Sequence, residues 1–257
     1  MVIRSIAKVT FLESLRNKTL YILLLFSFVY IILAKTLGYV APTTDKEKML
    51  IVAGLTGMTV FGFIIALFTG MSLIQKEMNE RTIYTILSKP VDRYQFILGK
   101  YIGLMMLFVL IVFLMLMILL GFHLVSGGEI VIEFFYYALL LVIELSVVTT
   151  VAIFFSLLTS PIFSAVATFC LFVAGNAMET IFDRVLYIHH ANWLGRWLII
   201  GIHMIIPNFY NFNISNEIIN HYSVPPVRVV LAGVYGILFS GIFLYISVLI
   251  FEKKRLK

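Results

Sequence analysis

The sequence is poor in charge. Of its 257 residues, 12% are Asp, Glu, Lys or Arg, about half the share in an ordinary soluble domain. With 61% apolar residues and a mean hydropathy of +1.05, the charges are too few to cover a globular surface in water. That excludes a soluble enzyme and a disordered chain. Cysteine is nearly absent. Cys170 stands alone, so no internal disulfide forms and a disulfide scaffold is excluded. There is no G-x-x-x-x-G-K-[ST] phosphate loop: Tyr101 follows Gly99-Lys100, and Tyr94 stands where the first glycine belongs. The chain does not hydrolyse ATP by that mechanism. H-E-x-x-H and G-x-S-G are missing too. Ser126-Gly127-Gly128 has only its neighbour His123 for company, so an intramembrane protease lacks its constellation.

What is present is a series of long apolar runs. Six of them reach the ~20 residues that a helix needs to cross a bilayer: Leu20–Val40, 49–74, 101–125, 134–158, 162–181 and 229–251. Stretches such as Leu139-Leu140-Leu141 show no alternation, which argues against barrel strands. The first run lies behind a polar leader, exceeds a signal-peptide core and precedes no cleavage site, so it is expected to stay as an anchor. A shorter apolar segment, 193–206, contains Arg196 and His203 and ends at Pro207. Its length suits a re-entrant or interfacial helix. The expected fold is an all-α integral membrane protein with six transmembrane helices in one domain, 1–257. Within it lie a leader (1–19), a loop between the second and third spans (75–100) and an outer loop (182–228).

An even number of spans places both termini on one side. The leader, the 75–100 loop and the tail hold 13 Lys and Arg with five acids; the other side holds six with eight acids, counting Glu144. Positive loops stay in the cytoplasm, so both termini are expected inside. The basic balance is thus a topology signal, with anionic lipid as its counterpart. No basic-aromatic patch calls for nucleic acid. In the leader, Val2, Ile6 and Val9 share a helical face, but Glu13 interrupts it. A plain basic leader and a docking helix both remain open.

The 75–100 loop reads QKEMNERTIYTILSKPVDRYQFILGK. Glu77 and Arg81 are spaced for an i,i+4 pair. Ile83, Ile86 and Leu87 form an apolar stripe, and Pro90 ends that helix. Asp92 with Gln95 reads as a capping box for the next helix. Two ordered helices around a Pro turn suit a docking surface or a passive connector.

The string Glu77, Arg81-Thr82, Leu87-Ser88-Lys89-Pro90-Val91, Arg93, Gly99-Lys100, with the leader segment Phe11-Leu12-Glu13-Ser14-Leu15-Arg16-Asn17-Lys18, resembles the signature of type-2 ABC exporter permeases. The chain is similar to the small six-span permeases grouped with the multicopper-enzyme maturation transporters. The resemblance implies that the loop is a coupling helix seated in a cleft of a separate ATP-binding subunit, which would bind ATP and Mg. It assigns Glu77, Arg81, Thr82, Leu87, Pro90, Arg93 and Lys100 to that coupling region. It places the leader along the inner membrane surface against the same subunit, and matches short outer helices to 193–206. It also implies a second permease copy or a related permease, and a place in the cell inner membrane.

Some features stand apart from the loop. Gly62, Ala66 and Gly70, and likewise Ala232, Gly236 and Ser240 beside Gly233 and Gly241, are small-residue rows that permit close helix contact within one subunit or between two. Glu144 lies well inside the fourth run, a possible intramembrane polar site facing the bundle, a partner or water. Lys35 is expected to snorkel, and Cys170 to act as a small packing residue. His189, His190, His203, His221 and Met204 match no metal spacing, and Met106 and Met117 share one helix face. No metal site is expected. Apart from the ABC reading, a secondary transporter or channel remains the alternative; broken helices and several intramembrane charges would favour it.

Overall fold

The computed structural model describes residues 2–16, 20–40, 46–79, 92–187 and 206–253. Every regular element among them is helical. In chain order they are α1 (Val2–Ser14), α2 (Leu20–Val40), α3 (Lys46–Asn79), α4 (Arg93–Val125), α5 (Glu133–Leu158) and α6 (Pro161–Tyr187). A 3-10 turn (Phe209–Phe212), α7 (Ser215–Ile219) and α8 (Pro226–Lys253) follow. Helices α3, α4, α5 and α8 are each long and apolar enough to cross a membrane; the described apolar parts of α2 and α6 are shorter.

The helices outrun the apolar runs, because backbone hydrogen bonding does not stop where side-chain hydropathy does. At 34 and 33 residues, α3 and α4 are each about 50 Å long at ~1.5 Å per residue. Their excess is at the end of α3 and the start of α4, so both stand proud of an apolar slab on the side of the 80–91 connection. Asp92 has the extended backbone of an N-cap (φ −69°, ψ 145°) but caps no amide through its side chain. Its carboxylate instead accepts from the Gln95 side-chain amide at 3.1 Å. The expected capping box is therefore reduced to a side-chain pair.

Helix α5 is the hub. Every residue from Glu144 to Ile153 is buried, as befits a helix that is apolar on all sides. Helix α3 lies against it along Gly62, Ala66 and Gly70. A Cβ at Gly62 would touch the Leu145 methyls at 3.1 Å, and one at Gly70 would meet Ala152 Cβ at 2.8 Å. Helix α8 lies against it along Ala232, Gly236 and Ser240; Gly236 accommodates Ile143 and Phe212. Both rows thus pack within the subunit, while Gly241 has open space around it.

Helix α1 is docked. It lies across the start of α4, where Gly99 and Gly103 leave room for Ile6, Ala7 and Thr10; a Cβ at Gly103 would come within 2.6 Å of the Ala7 carbonyl oxygen. The buried face is Ala7, Thr10 and Ser14, while Val9 is 63% exposed. The leader is held by its small residues together with Ile6, Phe11 and Leu15, and turns Val2, Val9 and Leu12 outward. Of the Val2-Ile6-Val9 face, only Ile6 meets α4; the rest of the contact is made by small residues, which permit close helix approach.

At the other end, residues 206–219 form a cap. Asn208 Oδ1 accepts the Tyr210 amide at 3.1 Å, and the Asn208 amide donates to the Tyr235 hydroxyl at 2.9 Å. Phe209, Phe212, Ile214 and Ile218 are driven into the bundle. Gly175 of α6 makes the space: a Cβ there would strike the Pro207 carbonyl and the Phe209 ring. Arg228 at the start of α8 pairs with Glu217 of α7.

Candidate functional site

The start of α4 is where the helix ends on the side of the 80–91 connection are tied together. Arg93, at its first position, reaches the last turn of α8 and donates from Nη1 to the carbonyl oxygens of Phe251 and Glu252, each at 2.9 Å. These are among the carbonyls that a helix end leaves unsatisfied, and a cation suits the negative end of the helix dipole. The guanidinium also stands 5.8 Å from the Phe251 ring centroid. One turn on, Phe96 stacks with Phe251 at 6.2 Å between centroids.

Lys100, two turns into α4, is 6% exposed. Its ammonium stands 5.3 Å from the Phe96 ring centroid and reaches the Leu73 carbonyl of α3 at 3.5 Å. Between Phe96 and Lys100 lies the Gly99 seat of α1. Within two turns, α4 is therefore bound to α8, α3 and α1. Any displacement of the chain entering α4 at Arg93 is delivered to three other helices.

Further in, the Tyr101 hydroxyl bonds Ser146 of α5, and Ser146 bonds Ser240 of α8 at 3.0 Å. This buried chain links three helices with hydroxyls alone. On another face of α5, the Tyr137 hydroxyl donates to the Leu55 carbonyl at 2.8 Å and lies 2.6 Å from Thr59 Oγ1. Glu144 lies two turns along the same face as Tyr137. It is 5% exposed, and no hydrogen bond or ion pair reaches its carboxyl among the described residues. Near the opposite end of α4, the His123 ring lies beneath Gly128, is 3.0 Å from the Glu129 carbonyl oxygen and 3.9 Å from Glu47.

The residues singled out in the sequence fare unequally. Arg93 and Lys100 turn into the bundle as described. Glu77 lies in the last turns of α3; Arg81, Thr82, Leu87 and Pro90 lie outside the described residues. So do 193–205, with His189, His190, His203 and Met204. His221 is exposed, in a left-handed turn (φ 54°). Met106 and Met117 are exposed on the outside of α4, and no group of three metal-ligating side chains occurs among the described residues. Lys35 is exposed near the end of α2. Cys170 is exposed on α6 and so fills no internal gap, contrary to expectation: its side of α6, with Val166 and Val173, faces away from the bundle. Phe96, Phe251, Tyr101 and Ser146 escaped the sequence reading, because an aromatic or a serine inside an apolar run looks like packing until its partner on another helix is known.

Compared with known protein families, residues 4–177 match the family described as ABC-2 family transporter protein. The match runs from α1 through most of α6, and so includes the leader, the 80–91 connection and the α4 junction. No curated protein matches the chain.

Proposed function

Because this chain belongs to the ABC-2 family of transporter proteins, we propose that it is the membrane subunit of an ATP-driven exporter, worked by a separate ATP-binding subunit. It is a multi-pass membrane protein and a permease of the ABC transporter class, a transport subunit rather than an enzyme. Permeases of this family generally work with an ATP-binding subunit. In the proposed arrangement all six long helices span the inner membrane, both termini are cytoplasmic, and the 75–100 loop docks in the partner. The partner binds ATP and Mg. A second permease, identical or related, completes the pathway.

The observation that carries this reading is the family match. The α4 junction supports it: a docked loop needs a stiff exit, and Arg93, Phe96, Gly99 and Lys100 bind that exit to α8, α1 and α3. The exposed apolar face of α8, with Val230, Leu231, Ile237 and Leu238, suits lipid or the second permease.

Isolation in mild detergent tests the reading. A phosphate-loop ATPase is expected to accompany the chain and to be lost on Arg81→Glu. Cargo efflux from proteoliposomes is expected to require ATP. Efflux driven by an ion gradient without any ATPase would overturn the proposal in favour of a secondary transporter.

A further inference from the structure

Glu144 has an address that contacts on both sides of it define. Ile143 packs at Gly236 of α8, where Phe212 also lies; Leu145 packs over Gly62 of α3. Successive helical side chains are ~100° apart, so the Glu144 side chain points between the α8 contact and the α3 contact. An arc of aromatic rings bridges those same two contacts. Phe63, the neighbour of Gly62, stacks with Phe172 of α6 at 4.1 Å; Phe172 lies 5.0 Å from Phe209 of the cap, and Phe209 lies 6.4 Å from Phe212.

The arc passes on the Glu144 side of α5. The opposite side is occupied by Ser146 with Tyr101 of α4. The cap meets α5 on the Tyr137 face, with Ser215 beside the Tyr137 hydroxyl, and Glu144 shares that face. The carboxyl thus points to the side of α5 on which the four phenylalanine rings lie, within electrostatic reach of the Tyr137 hydroxyl, and no hydrogen bond or ion pair to it occurs among the described residues. The other buried acidic or basic side chains described, tyrosines aside, are Lys100 and His123; they lie towards the two ends of the bundle and have partners there.

We propose that Glu144 and the arc of Phe63, Phe172, Phe209 and Phe212 form the binding site for a lipophilic organic cation. This names the cargo class of the transport reading and rests on it. The carboxylate supplies the single counter-charge, and the ring faces supply quadrupole attraction and apolar area for the rest of the ligand. A bare metal ion needs several oxygen or nitrogen ligands, and the described residues gather no such set. An anionic cargo gains nothing from ionising the carboxyl, whereas a cation stabilises its charged form. Phe209 and Phe212 belong to the cap, so lifting the cap from Gly175 and Gly236 takes away half the arc and opens the site at the outer end.

Equilibrium binding of tetraphenylphosphonium to the purified full chain tests this, with tetraphenylborate as the anion of the same shape. Saturable binding of the cation and none of the anion is expected. Glu144→Gln should weaken it by roughly 30-fold or more, the consequence of losing a desolvated charge contact. Phe209→Leu, which keeps the carboxyl, should weaken it by about 5-fold. Absence of saturable cation binding, equal binding of the borate, or unchanged affinity in a folded Glu144→Gln or Phe209→Leu protein overturns the proposal. The assay contains no ATP. Cation binding by a chain that never brings down an ATPase refutes the ATP-driven reading alone; an ATPase partner without cation binding refutes this inference alone.

Discussion

Arg93 and Phe251 are 158 residues apart in sequence, yet the guanidinium of one caps the carbonyl of the other at 2.9 Å. The contact joins the exit of the 80–91 connection to the far end of the chain. It gives the C-terminal helix a direct mechanical link to the segment proposed to dock the ATP-binding subunit.

Arg93→Gln is expected to free the last turn of α8. Charge-assisted bonds to helix-end carbonyls contribute about 1–2 kcal/mol in partly buried settings. Amide exchange over 248–253 should accelerate by about tenfold. Arg93→Lys, a cation without the planar fork, should restore part of the protection. In the reconstituted transporter, ATP turnover should persist while transport falls; unchanged exchange at 248–253 would dispose of the link.

Glycine substitutions on α4 should separate sharply by position. Gly103→Val places atoms where the Ala7 carbonyl and Thr10 now lie, and overpacking of this kind costs about 1–3 kcal/mol. Gly121 has nothing within 4 Å, so Gly121→Ala should be neutral or stabilise by up to about 1 kcal/mol. Limited proteolysis at the leader should rise in Gly103→Val alone. Equal behaviour of the two variants would mean that α1 does not sit on Gly103.

Tyr101→Phe removes one end of the hydroxyl chain but leaves Ser146 bonded to Ser240. Hydrogen bonds between membrane helices average about 0.6 kcal/mol, so a loss of about 0.5–1.5 kcal/mol is expected. A double-mutant cycle with Ser240→Ala, read by unfolding in mixed micelles, should show coupling. Strict additivity would count against a connected network.

Gly175→Ala tests the seat of the cap. The added methyl meets the Pro207 carbonyl and the Phe209 ring, and backbone cannot swing aside as a side chain can. A cysteine at position 215 should react faster with a membrane-impermeant maleimide in this variant, in a Cys170→Ser background. An unaltered labelling rate would show that the cap is held by other contacts.

The element pattern was legible because apolar run length is a one-dimensional signal. The first span coincides with α2 at Leu20–Val40, and the fourth differs from α5 by one residue. The overrun of α3 was not visible in hydropathy, since a polar helical turn reads as loop; the early start of α4 was legible from Asp92 and Gln95, which mark a helix that runs on into the third span. Lys100 shows the same blindness: a lysine beside a loop counts as solvated, yet it is drawn inward by a ring and a carbonyl on different helices. The small-residue rows were legible as contact faces, but their common partner α5 was not, because a row of glycines names no partner. Glu144 was visible as an oddity; its surroundings depended on the cap, whose aromatics are remote in sequence.

The two rows that meet α5 have a kinematic consequence. Gly62 on one helix and Gly236 on the other are notches that receive Leu145 and Ile143 of α5, and Tyr137 and Ser146 tie α5 to the same two helices through Leu55 and Ser240. A side chain seated in a notch opposes sliding along the helix axis, because it would be driven into the next residue of the row. Helix α5 therefore works as a key between two slotted shafts, and an axial shift of α3 or α8 is passed to it.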